Sequence, residues 1–151
     1  RAPPGDKGFL SGFGNCNLQE SAMSSLAAVF TSERLAELFP PERTDAFFEA
    51  LFGGAEEGAY DICLAFTRGT ERRLDFVFEL HQRGDACLAC NLTHGLPQVF
   101  ARHPVIDTAG LAAVLASLAG WPEGGFRWEL ERTEEVSDAL HVVPLVLTRA
   151  D

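Results

Sequence analysis

The chain has 151 residues, 46% of them hydrophobic and 23% charged, the proportions of one soluble globular domain long enough to bury a real core. Twelve Lys plus Arg stand against 22 Asp plus Glu, a net charge of −10 that repels phosphate backbones and anionic lipid and argues against nucleic-acid and membrane-surface partners. No stretch approaches the run of about 18 apolar residues that reads as a membrane span.

Residues 1–14 hold two prolines and four glycines and predict an irregular lead-in, pinned by Phe9, Leu10 and Phe13. The chain opens on Arg1 without an apolar signal region, as a fragment or a mature chain relieved of a targeting segment would. From Asn17, Leu18, Ala22, Leu26, Val29 and Phe30 recur at helical spacing, with Asn15 or Asn17 as cap. Thr31 or Ser32 caps a second, short helix that Pro40-Pro41 ends. A third runs from Pro41 to Phe52 and stops at Gly53-Gly54.

At Tyr60 the period changes from 3.6 to 2. Ile62, Leu64 and Phe66 alternate in one strand, and Leu74, Phe76, Phe78 and Leu80 in a second. Ala86, Leu88, Cys90 and Leu92 alternate in a third. The short turns at Arg68–Glu71 and Gln82–Gly84 predict antiparallel hairpins, the second pairing Leu80 with Ala86 and Phe76 with Cys90. The opposite face then centres on Cys63, Val77 and Ala89, small and apolar within a polar rim, as a face covered by a partner or by the front helices would be.

A loop is expected from Gly95 to Ile106. Asp107 or Thr108 then caps a helix running to Gly120, and no charged residue lies between Asp107 and Glu123, which predicts burial on most sides, between sheet and a second subunit. Phe126, Trp128 and Leu130 alternate in a further strand, and Leu140–Leu147 is apolar on both faces apart from His141. Pro144 argues for an edge or a bulge there. Together these predict a single two-layer α+β domain over residues 1–151, with N-terminal helices followed by an antiparallel sheet in the order βββ-α-ββ. In order of elements the chain is similar to the small acidic dimeric chaperones of type III secretion, from which its extra front helices and missing final helix depart.

Four irregularly placed cysteines, Cys16, Cys63, Cys87 and Cys90, do not read as a disulfide framework, so a reducing, cytoplasmic setting is expected. Cys87, Cys90, His94 and His103 are four zinc-competent residues, but residues i and i+3 of a strand point to opposite faces, so no metal or other cofactor is expected. Cys16, at a predicted helix start, is the candidate nucleophile of a cysteine-dependent enzyme. His94, Arg102 and His103 are the candidate polar groups of a small-molecule pocket, against the simpler reading of a crossover loop pinned by Leu96, Val99 and Phe100. Ahead of both stands a non-enzymatic binding or assembly protein, chaperone- or adaptor-like, acting as a homodimer through the charge-free helix.

Overall fold

The computed structural model describes residues 25–54, 58–88 and 93–150. The expected lead-in, Cys16, the start of the first helix, and Ala89 to Leu92 lie outside the described residues.

Residues 25–29 are helical and deliver Phe30 to the core. Helix α1, Ser32–Leu38, is capped by Thr31, whose hydroxyl accepts from the Arg34 N–H at 3.1 Å. Helix α2, Pro41–Phe52, begins with proline, whose missing N–H is no loss in a first turn, and ends at Gly53 with φ +89°, a left-handed conformation suited to glycine. Both helices end where the sequence predicts.

Strands β1, Tyr60–Gly69, and β2, Arg73–Gln82, form the expected antiparallel hairpin, pairing Ile62 with Leu80, Leu64 with Phe78 and Phe66 with Phe76. A bulge between Phe66 and Arg68 shifts the register near the turn.

The third strand expected from Ala86 is not there in the described part. Gly84 takes its left-handed conformation (φ +57°), but the Ala86 N–H then bonds the Arg83 carbonyl at 3.1 Å, and the Gln82 side chain donates to the Ala86 carbonyl at 2.7 Å. These bonds close a local turn. The free edge of β2 goes instead to β5, Leu140–Arg149, which pairs Phe78 with Val143 and Phe76 with Leu145.

The region expected as a loop after residue 94 holds a 3₁₀ turn, Thr93–Gly95, and helix α3, Leu96–Arg102. Pro97 suits its first turn, and the i, i+4 pair Leu96 and Phe100 is buried, so the residues expected to pin a loop form one face of a helix. Helix α4, Thr108–Leu118, follows, with the Asp107 carboxylate accepting from the Gly110 N–H at 3.2 Å. Strand β3, Phe126–Leu130, is as expected, while β4, Glu134–Ser137, was not anticipated.

The five antiparallel strands are ordered β1-β2-β5-β3, with β4 also on β5. The architecture is thus α+β with an antiparallel sheet, as expected, and among the described residues the elements after the front helices run ββ-αα-βββ. Strand β5 is central, and Pro144 lies at neither edge of the sheet. It falls in the gap between the last β3 pair, Leu130–Leu145, and the first β4 pair, Glu134–Val142, and its carbonyl accepts from the Glu131 N–H at 2.9 Å.

Phe30 meets Phe76 at 5.0 Å between ring centroids, Phe39 meets Phe78 at 5.6 Å, and Phe100 meets Phe78 at 5.2 Å. The front helices and α3 therefore share one sheet face, with α4 joined to the same core through Leu111 and Leu115. The front helices do not cover the outer face, where Cys63 is exposed and Ala65 and Val77 are half-buried. Helix α4 buries Leu111, Ala112, Leu115 and Ala116 but leaves Ala113 and Val114 in solvent, so within one chain it is covered on one side only. No helix among the described residues is long and apolar enough to cross a membrane.

Candidate functional site

Of the polar groups that the sequence offers for a pocket, His94 lies at one end of α3 and Arg102 and His103 at the other. His94 is exposed on the 3₁₀ turn, with Nε2 2.6 Å from Glu135 Oε2, and this hydrogen bond holds the Glu135 carboxyl below its ordinary range. Arg102 is exposed at the far end of α3. His103 caps that end, half-buried, its Nδ1 accepting from the Val105 N–H at 3.2 Å and its ring 4.8 Å from Phe47. The seven residues of α3, about 10 Å at 1.5 Å per residue, hold His94 and His103 apart.

Cys87 is disulfide-bonded, to a partner outside the described residues. A disulfide sulfur offers zinc no thiolate. No group of three or more His, Cys, Asp or Glu side chains suited to a metal occurs among the described residues. Cys16 and Cys90 fall outside them.

What the fold does assemble near His94 is a hydrogen-bonded cluster. Buried His141 on β5 places Nδ1 2.7 Å from Thr93 Oγ1, the Thr133 hydroxyl donates to the Thr93 carbonyl at 2.7 Å, and the His94 and His141 rings lie 6.1 Å apart. Thr93 is wholly buried, so no substrate reaches its hydroxyl, and the pair satisfies two polar groups inside the protein. Thr93, Thr133 and Glu135 carry no local sequence signal, because their partners lie 40 or more positions away.

Two larger surfaces among the described residues have room for a partner. The first is the outer side of α4, where Val114 is 42% exposed and continues into a cleft of about 370 Å³ bordered by Ser117, Leu118, Trp121, Pro122 and Phe126. The second is a groove of about 670 Å³ between α1 and the outer edge of β1. Leu35, Ala36 and Phe39 form its helical wall, Ile62, Leu64 and Phe66 its strand wall, and Asp61 and Glu79 bring carboxylates to it.

Backbone geometry adds to this second surface. Buried Thr44, on α2, accepts from the Ile62 N–H and donates to the Ile62 carbonyl, both at 3.2 Å. The amide groups of Ile62 therefore point away from β2, and the two-residue period of a strand sends those of Leu64 and Phe66 to the same outer edge. No hydrogen bond to them on that edge is found among the described residues.

Cys63 lies on the outer sheet face beside this groove, opposite Glu79 on β2, and its thiol is free. Burial of the sulfur raises its pKa, and the carboxylates of Glu79 and Asp61 raise it further. Less thiolate is present at neutral pH than in a simple thiol, since a raised pKa delays ionisation. Peptide mapping of iodoacetamide modification should show Cys63 reacting more slowly at pH 7.5 than N-acetylcysteine, with a higher pH midpoint and a faster rate in Glu79→Gln. A midpoint at or below that of N-acetylcysteine contradicts this environment. A slow thiol of this kind is a poor nucleophile at neutral pH.

No protein-family model matches this sequence, and neither a curated protein nor a solved structure matches it.

Proposed function

We propose that the protein is a non-enzymatic binding and assembly protein that works as a homodimer through the outer side of α4. One observation carries the reading: a helix without a single charged side chain has half its circumference, centred on Ala113 and Val114, turned to solvent beside an apolar cleft. Surface helices ordinarily place charged residues on the side away from the core, and apolar surface joined to a cleft is characteristic of protein contacts. A second copy related by twofold symmetry would bring the same uncharged strip against itself, which needs no complementary charge on either side.

The net charge of −10 supports a protein partner over nucleic acid or an anionic membrane. On location, the exposed free Cys63 supports the cytoplasmic reading and the disulfide at Cys87 opposes it, because stable disulfides belong to oxidising compartments.

Light scattering coupled to size exclusion should give twice the chain mass at micromolar concentration, and Val114→Glu should give the single-chain mass with an unchanged circular dichroism spectrum. A wild-type monomer at that concentration removes the reading. The sequence alternatives are a ligand site at His94, Arg102 and His103, which α3 holds at its two ends, and a nucleophile at Cys16, which lies outside the described residues.

A further inference from the structure

We infer that the groove beside β1 is a docking site for an extended segment of a partner protein, added to the sheet as a sixth strand and alternating apolar with basic side chains. It lies at the opposite end of the sheet from β3, which packs against α4, so it stands independently of the dimer reading.

An edge strand flanked by a helix provides both things an added strand requires. The N–H and C=O of Leu64 and Phe66 supply hydrogen bonds that any extended backbone can meet, and the trench against α1 supplies a place for side chains. The docking length is bounded at both ends. Thr44 already occupies the Ile62 amide groups, and the bulge between Phe66 and Arg68 breaks the register beyond. Between them no described residue pairs with the edge, so only a short segment fits.

The pleat then sets the chemistry of the occupant. Successive side chains of an added strand point to opposite faces. One set enters the groove beside exposed Ala36, over a wall in which Leu35 and Phe39 are already buried, and must be apolar to match it. The alternate set lies on the outer face, beside Asp61, Cys63 and Glu79. Asp61 already holds Arg83 at 2.9 Å, Glu79 holds His81 at 3.0 Å and Arg43 lies over the Phe39 ring at 5.2 Å, yet among the described residues the lining itself contains two carboxylates and no cation. Lys or Arg in that set is attracted to this rim and to the chain's negative charge, whereas Asp or Glu is repelled.

The probe is a fluorescein-labelled octapeptide alternating valine and lysine, followed by anisotropy against the full chain, with amide hydrogen exchange read at Leu64 and Phe66. Expected are saturable binding, slowed exchange at those two amides, and at least tenfold weaker binding when lysine is replaced by glutamate. N-methylation of the valine amides should weaken binding by at least tenfold as well. Ala36→Trp, an exposed α1 substitution that fills the groove and leaves the core alone, should also weaken it at least tenfold, while Val114→Glu leaves it unchanged. Equal affinity for the N-methylated peptide, or for wild type and Ala36→Trp, overturns the proposal. If Ala36→Trp and not Val114→Glu abolishes a dimer of the chain, the edge belongs to a second copy, and the partner-segment proposal fails.

Discussion

Phe78→Ala should destabilise the protein by about 3–5 kcal/mol, the range for emptying a buried phenylalanine site. Phe78 is fully buried at the middle of β2, between Leu64 of β1 and Val143 of β5, and meets the rings of both Phe39 and Phe100 edge-on. The side chain thus joins both neighbouring strands to the front helices and to α3. Surrounding backbone is fixed by two ladders and cannot collapse into the hole, which places the effect at the upper part of that range. In a domain of this size each kcal/mol moves the melting temperature by about 2–4 °C, so a fall of roughly 10 °C or more is expected. Phe78→Leu, which retains most of the volume, should lose about 1–1.5 kcal/mol. Urea unfolding with an unchanged m-value is the measurement. A loss below about 1 kcal/mol for the alanine variant would contradict this core.

Thr44→Val should be nearly as damaging, although it alters no volume to speak of. The Thr44 hydroxyl serves both amide groups of Ile62, and both residues are buried, 1% and 2% exposed. Valine leaves an N–H and a C=O unsatisfied, each at about 1–3 kcal/mol, for a combined loss of about 2–6 kcal/mol. Thr44→Ser keeps the hydroxyl, removes one methyl group, and should lose only about 1 kcal/mol. Hydrogen exchange at the Ile62 amide separates the two explanations, since it should accelerate in the valine variant and not in serine. Valine and serine variants of equal stability would show that the hydroxyl contributes nothing. The valine variant also lengthens the open edge of β1, so self-association at high concentration is expected of it and not of serine.

The parts of the fold legible in the sequence are those fixed by near neighbours. The stop of α2 at Gly53, the cap at Thr31 and the antiparallel hairpin of β1 and β2 follow from side-chain period and turn chemistry. The missing third strand shows the limit. Alternation at Ala86 and Leu88 satisfied the pattern, but β2 found a ten-residue partner of matching length in β5, and pattern alone does not choose between two partners. Strand β4 is exposed at all four positions, so it has no apolar alternation to detect. Helix α3 spans too few residues for its period to stand out from a loop.

Site residues follow the same division. Cys87, Cys90, His94 and His103 are zinc-competent residues for which strand geometry predicts no metal site, and the contacts that form bring His94 to Glu135 and His141 to Thr93 across 41 and 48 positions. The groove was invisible for a related reason. Its open amides exist only because β1 is an edge strand, a property of strand order and not of β1's own residues.

The central place of β5 also bears on how the chain acquires its structure. Roughly sixty residues separate the end of β2 from the start of β5, which at about 5–20 residues per second means several seconds of synthesis during which β2 exposes an apolar edge with no strand to take it. Neither β3 nor β4 offers relief, since each pairs only with β5. Among the described strands, completion of the sheet waits on β5, and truncation before Leu140 is expected to leave β1 and β2 as a hairpin under the helices, a species suited to capture by chaperones or to aggregation.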